Sequence, residues 1–408
     1  MYYTLESPRQ IHATIALPSS KSISNRVLIM NQLAGGRMAL NNLSDCDDTQ
    51  VMLRALHSPS EITDVHAAGT AMRFLTAFIS SRPGRTVMTG TERMKNRPIG
   101  VLVDALRSIG ADIEYADREG FPPLRIEGRP LAGGEVSIAG NVSSQFISAL
   151  MMIAPTMAQG LTLHITGHVA SAAYIDMTAG LMQGFGIPVD RPDGHTVIIP
   201  KSVYRGNAFT VESDWSGASY WYEMLALSDG GQVTLPHLFE NSLQGDAAVS
   251  RLFRPLGVQT AFTDGGVVLT KSGEPCTEYD ADLENQPDLA QTLVVTCAMM
   301  GIPFHITGLQ TLRIKETDRL TALRTELAKL GIKVQERHGD TLSWNGRQTA
   351  VALPPAIDTY EDHRMAMAFA PCAIRMPRLR INNPEVVSKS YPHYWDDLRE
   401  AHFKLEHP

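Results

Sequence analysis

The chain has 408 residues, 43% of them apolar and 19% charged, with 32 glycines and 24 prolines and no tandem low-complexity tract. It is too long for one ordinary hydrophobic core and too apolar for disorder, so a globular protein of repeated or multi-domain architecture is expected. A net charge of −7 and a pI near 6.0 argue against a general nucleic-acid binder, so any anion site must be local.

The opening MYYTLESPRQ carries an early acid and no basic-then-apolar run, which does not read as a secretion signal. Cys46, Cys276, Cys297 and Cys372 stand far apart without a CxxC pair. Neither a zinc cage nor a disulfide framework is signalled, and a reducing cytoplasm suits them. The stretch from Val136 to Ile175 has no formal charge, but Ser143, Ser144, Gln145, Pro155, Gln159 and Gly160 interrupt it. It reads as buried core and not as a membrane span.

Along the chain one type of helix recurs, opening with small or capping residues and continuing apolar. Its six starts are near Ser24, Gly69, Ser144, Ser216, Asp288 and Asp362, spaced by 45, 75, 72, 72 and 74 residues. Between them runs a second pattern, an amphipathic helix closed by glycine and followed by two β-branched strands around a polar turn. It begins at Gly110, Gly186, Gly257 and Gly331, at intervals of 76, 71 and 74. The short first spacing means that one unit has lost a hairpin, and HSPSEITDV, residues 57–65, is too brief to hold one. Six units, the first abridged, are expected. Helices apolar on all sides belong inside their modules, and their N-termini, each with about half a positive charge, would favour a polyanionic ligand if several met at one place.

The candidate chemistry lies at those helix starts. LPSSKSISNR sets Lys21 and Arg26 among Ser19, Ser20, Ser22 and Ser24, which suits a phosphate or carboxylate, although a solvated N-cap with two surface cations fits the same residues. In RIKETDRL, residues 313–320, a helix would put Lys315 and Arg319 on one face at i,i+4, a repulsive pair unless an anion lies between them. Glu316 beside them could supply a proton, while a plain helix start built on Thr317 is the simpler alternative. Arg97 in MKNRPIG, His363 and Arg364 in EDHRM and Lys389 in VVSKSYP each stand at the start of an element. Singly each reads as a surface charge, but repetition would bring them together. Ser143, Ser144 and Gln145 head a very apolar helix as neutral donors or as a plain cap. Asp288 in ENQPDLAQT is either an N-cap or a general base, and among so many cations it should ionise easily.

In one order along residues 9 to 400, the motifs LPSSKSISNR, AGTAMR, RMKNRPIG, GNVSSQF, PDLAQT, RIKETDRL, DHRMAMA and SKSYP closely resemble those of the 5-enolpyruvylshikimate-3-phosphate synthases. The resemblance implies an α/β fold, a two-domain inside-out barrel of three βαβαββ units per domain, with residues 20–212 as a continuous domain and 1–19 plus 213–408 as a discontinuous one. It places the active site in the cleft between the domains. It also implies transfer of the enolpyruvyl group of phosphoenolpyruvate to the 5-hydroxyl of shikimate 3-phosphate, with release of phosphate and without metal or redox cofactor. Glu316 would protonate carbon, Asp288 would take the hydroxyl proton, and Lys21 would bridge the substrates and shuttle a proton. Lys21, Ser22, Arg26, Ser143, Ser144, Gln145, Ser171, Tyr174, Asp288, Thr311 and Lys315 correspond to the shikimate 3-phosphate site. Lys21, Gly69, Arg97, Gln145, Arg319, His363, Arg364 and Lys389 correspond to the phosphoenolpyruvate site. A cytoplasmic monomer acting on small molecules, without nucleic-acid or membrane partners, is expected.

Three positions depart from the family pattern: Ala67 and Thr311 stand where asparagine is common, and Phe74 where proline is common. Activity is expected to survive them. The rival in the same fold is the sister transferase acting on UDP-N-acetylglucosamine, whose acid is a mobile-loop cysteine, and none of the four cysteines sits in a glycine-rich loop. The rival from another class, a catalytically silent binding protein, is disfavoured by intact Lys21, Asp288, Glu316, Arg364 and Lys389.

Overall fold

The computed structural model describes residues 1–58, 60–206, 208–351 and 355–407. The chain divides into two compact units, one of Met1–Pro18 with Glu212–Pro408 and one of Ser19–Val211.

In the Ser19–Val211 unit, the helices Lys21–Leu33, Gly69–Ser80 and Ser144–Ile153 pack on one another. Most of their residues are buried, and in Ser144–Ile153 every residue but Gln145 is. Three sheets accompany them. The first orders Ile62–Asp64, Gly84–Thr89, Leu124–Gly128 and Asp112–Tyr115, and the second Thr196–Ile199, Leu161–Thr166 and Gly134–Ala139. The third is only the parallel pair Ala208–Thr210 and Ala39–Asn41. Each of the others adds antiparallel strands to one parallel pair. The two-stranded sheet is therefore the unit that lacks its hairpin, as the short first spacing predicts.

The other unit repeats the plan without abridgement. The helices Trp215–Leu227, Ala290–Met300 and His363–Phe369 pack together, and all seven residues of the last are buried. Among the described residues its three sheets each have four strands. One holds Gln10–Thr14 parallel to Gly230–Pro236, one Tyr279–Asp282 parallel to Phe304–Thr307, and one Ala356–Ile357 parallel to Leu379–Asn382. The N-terminal strand Tyr2–Glu6 lies between Leu379–Asn382 and Lys404–Glu406, antiparallel to both. Each unit has its own core, in which a fully buried Leu, Ile, Val or Phe contributes about 1.5–3 kcal/mol.

The four repeat glycines all have positive φ, from +77° at Gly186 to +101° at Gly110. At Gly331 the close approach is also decisive, because a Cβ there would lie 2.0 Å from the Thr349 carbonyl oxygen. Two expectations need correction. The helix before Gly257 is broken into 3-10, α and 3-10 turns, the last containing Pro255, which cannot donate to a continuing α-helix. After Gly186 the first hairpin strand shrinks to the single bridge Asp190 to Ile198. The uncharged stretch from Val136 forms strand, helix and strand, and no described helix is long and apolar enough to cross a membrane.

Candidate active site

In the Ser19–Val211 unit the sequence-predicted residues gather at helix N-termini. Ser20 caps the Lys21–Leu33 helix, its Oγ accepting from the Ile23 N–H at 3.4 Å. Lys21 is the first helical residue, where a cation opposes the helix dipole, and Asp48 compensates it at 3.2 Å. Ser143 caps the Ser144–Ile153 helix by accepting from Gln145 N at 3.3 Å, and Gln145 Nε2 donates to Thr70 Oγ1 at 3.1 Å. Ser171, ahead of the Ala172–Gly184 helix, is buried in a left-handed conformation with φ +57°, a conformation non-glycine residues rarely hold.

Arg26 is 2% exposed and lies in the helix packing. Its Nε donates to Thr178 Oγ1 at 2.7 Å and its Nη1 to the Ser22 carbonyl at 2.9 Å; Nη2 lies 3.3 Å from Ser148 Oγ and 3.4 Å from the Tyr174 carbonyl. Burial lowers its pKa to about 10, so it keeps its charge at neutral pH. The guanidinium stands 5.2 Å from the Phe74 ring centroid and 5.8 Å from that of Tyr174, and Phe74 thereby gains a role as a cation–π partner. Gly69 opens its helix beneath Arg97, and a Cβ at Gly69 would lie 2.5 Å from Arg97 Nη1. Arg73, which the sequence reading passed over, reaches back from the same helix to the Gly69 carbonyl at 3.0 Å and to the Pro98 carbonyl at 3.4 Å. It fixes both backbone segments that hold Arg97.

In the other unit, acids and cations interlock. Asp288 receives Arg364 Nη2 at 2.9 Å, Arg319 Nη1 at 3.0 Å and Lys315 Nζ at 3.7 Å. Burial would raise its pKa, but Arg364, Lys315 and Arg319 outweigh burial and hold it well below the usual carboxylate range. Arg319 is 1% exposed and also binds Asp362, Nε to Oδ2 at 2.7 Å, and Glu316, Nη2 to Oε2 at 2.9 Å. Burial alone would lower its pKa; Asp362, Glu316 and Asp288 raise it. Lys389 Nζ approaches the other Glu316 oxygen at 3.4 Å. Asp362 caps the His363–Phe369 helix by accepting from Arg364 N at 3.0 Å, and the buried His363 has its Nδ1 3.6 Å from Asp362 Oδ1. Thr311 lies in the 3-10 turn Gln310–Ile314, and its Oγ1 is buried with no hydrogen-bond partner among the described residues.

Three local expectations are corrected here. Lys315 and Arg319 do not share a helix: Lys315 ends the 3-10 turn, and Asp318, not Thr317, caps the Arg319–Lys329 helix by accepting from Thr321 N at 3.2 Å. The anion between the two cations is Asp288. Asp288 itself sits within the 3-10 turn Pro287–Leu289, and the N-cap position of the following Ala290–Met300 helix is Leu289. Lys389 ends a 3-10 turn, Pro384–Lys389, and does not begin an element.

The sequence reading also missed Tyr220 and Asp246, and took Asp362 only as a helix start. Tyr220 Oη meets Arg364 Nη1 at 3.3 Å, and burial pushes its phenol up to about 12. Asp246 accepts from Ser216 Oγ, and burial, with the nearby charge of Asp288, pushes it up to about 7. QGD carries no signal of its own. Asp362 directly before the basic pair of EDHRM was the one legible hint. Among the described residues, no group of three or more His, Cys, Asp or Glu side chains could hold a metal ion.

In the second unit Lys315, Arg319, Arg364 and Lys389 each meet a carboxylate of Asp288 or Glu316, the arrangement of a charge-dense candidate site. The profile of EPSP synthase (3-phosphoshikimate 1-carboxyvinyltransferase) matches residues 5–58 and 55–398, and the chain belongs to that family. A 3-phosphoshikimate 1-carboxyvinyltransferase of Bacteroides fragilis (strain YCH46) is 53% identical over 406 residues, covering 100% of this chain and 99% of that one. One from Aliivibrio salmonicida is 37% identical, covering 97% and 98%. A solved EPSP synthase from Acinetobacter baumannii superposes with a TM-score of 0.76 at 19% identity, covering 100% of this chain and 99% of that one, a likeness of fold.

Proposed function

We propose that this chain is a transferase that moves the enolpyruvyl group of phosphoenolpyruvate onto the 5-hydroxyl of shikimate 3-phosphate and releases phosphate. Family membership across the chain supports the reaction. One observation supports the residue roles: four of the cations assigned to substrate anions, Arg319, Arg364, Lys315 and Lys389, are ion-paired with Asp288 or Glu316.

In the first step the 5-oxygen bonds to C2 of phosphoenolpyruvate while C3 takes a proton. In the second, C3 loses a proton and the C2–O bond to phosphate breaks. Glu316 is assigned to the carbon proton and Asp288 to the hydroxyl proton, with Lys21 bridging the two substrates. Arg364, Arg319 and Lys389 stabilise the carboxylates in their charged form. When substrate phosphate and carboxylate groups share the positive charge that holds Asp288 ionised, Asp288 becomes a better proton acceptor, so substrate arrival readies the base. Thr311, with its buried hydroxyl, is assigned to the shikimate ligand, and Ser22, Ser143, Ser144, Gln145, Ser171 and Tyr174 are assigned neutral contacts to it. Gly69, Arg97 and His363 belong with phosphoenolpyruvate. The reading requires residues of both units, acting as two domains, to serve one pair of substrates. It places the enzyme in the cytoplasm, in keeping with its four free cysteines. Phosphate release from purified protein given both substrates tests it, and no release at high enzyme concentration would refute it.

A further inference from the structure

The helix that begins with Arg319 carries a carboxylate on the same face, two turns on. Glu326 is fully buried, seven residues after Arg319 and therefore in line with it. Its Oε2 accepts from the Asp358 N–H at 3.1 Å and from Lys329 Nζ at 2.7 Å, and its Oε1 accepts from Tyr360 Oη at 2.6 Å. Lys329 also donates to the Ala356 carbonyl at 3.2 Å and to Asp358 Oδ2 at 2.8 Å, and Asn382 Nδ2 donates to Asp358 Oδ1 at 2.7 Å.

The segment gripped in this way leads directly into the site. Tyr360 and Glu361 are consecutive residues in the left-handed region, with φ of +54° and +56°. Neither is a glycine or an asparagine, so the turn is intrinsically disfavoured and needs outside support. The next residue is Asp362, which clamps Arg319 and caps the helix that presents His363 and Arg364. One helix thus holds the turn at both ends: Glu326 grips Asp358 and Tyr360, and Arg319 grips Asp362. Tyr360 and Glu361 are themselves exposed, so the core does not fix them in place.

We propose that Glu326 is a positioning residue for the reaction, holding the left-handed Tyr360–Glu361 turn so that His363, Arg364 and the Arg319 gripped by Asp362 meet phosphoenolpyruvate in register. The proposal rests on the transferase reading above. It predicts a defect in the phosphoenolpyruvate half of the site alone, because the turn carries none of the groups assigned to shikimate 3-phosphate.

The experiment compares wild type, Tyr360→Phe, Glu326→Gln, Glu361→Asn and the double variant Tyr360→Phe/Glu361→Asn by steady-state kinetics in both substrates and by thermal unfolding. Tyr360→Phe removes one hydrogen bond to a carboxylate from an exposed ring, so KM for phosphoenolpyruvate should rise about tenfold while KM for shikimate 3-phosphate stays within about twofold. Glu326→Gln should show the same split. Asparagine tolerates the left-handed region, so Glu361→Asn alone should match wild type, and in the double variant it should return KM to within about threefold of wild type. A merely structural bond would lower the unfolding temperature without this substrate bias or rescue. An unchanged KM for phosphoenolpyruvate in Tyr360→Phe overturns the proposal even if Glu326→Gln fails to fold, as does a defect that Glu361→Asn leaves in place. Absence of phosphate release by wild type would instead overturn the transferase reading, and the proposal with it.

Discussion

The guanidinium of Arg97 passes so close over Gly69 that a methyl group on that residue would stand 2.5 Å from Nη1 and 3.0 Å from Cζ. Gly69→Ala should therefore displace Arg97 without straining the helix, since Gly69 itself has no positive φ. Loss of one charge-assisted hydrogen bond predicts a rise in KM for phosphoenolpyruvate of about 10- to 100-fold, with binding of shikimate 3-phosphate unchanged. Steady-state kinetics in each substrate would check this, and a wild-type KM would show that Arg97 does not hold that ligand.

Glu316→Gln keeps the shape of a side chain gripped by Arg319 and Lys389 but removes its acid. Turnover should fall at least about 100-fold, while shikimate 3-phosphate still binds by calorimetry. Undiminished turnover would remove Glu316 from the mechanism.

Arg319 is the hub joining Asp362, Asp288 and Glu316. Arg319→Met would leave fully buried Asp362 without its cation, and urea unfolding should show a loss of about 3–5 kcal/mol. Arg319→Lys should recover only part of it, because an ammonium cannot address three carboxylates from one planar fork. A stability equal to wild type in either variant would mean that the cluster reorganises freely.

Asp246 gives a signed pH prediction. Its pKa is raised in the folded protein from 3.8 to about 7, so the folded state binds more protons than the unfolded chain between those values. Its contribution to stability is present below 3.8 and is lost as pH rises through about 7. In Asp246→Asn that decline should disappear, so the variant should gain on wild type as pH increases from 4 to 7 in denaturant titrations. Parallel stability curves for the two proteins would contradict this placement of the charge.

Repetition made much of the fold legible. Six apolar helix starts at near-constant spacing, and four glycines each forced to positive φ, mark the same supersecondary unit whatever its side chains. The 45-residue first spacing showed where a hairpin was missing. What escaped notice depended on local competition or on distant partners. Asp318 outcompetes Thr317 as a cap and so splits RIKETDRL between two elements. The left-handed Tyr360–Glu361 turn carries neither glycine nor asparagine to betray it. The burial of Arg26 was not legible because nothing nearby in sequence announces that Thr178 and Ser148 will receive it.

The place of Tyr2–Glu6 between strands from the far end of the chain has a consequence during synthesis. The Ser19–Val211 unit has all its strands once residue 211 has emerged from the ribosome, whereas Gln10–Thr14 must wait for Gly230–Pro236, and Tyr2–Glu6 for Leu379–Asn382 and Lys404–Glu406. Until those later strands are made, Leu5 and Ile11, both fully covered in the folded molecule, have no partner strand to cover them.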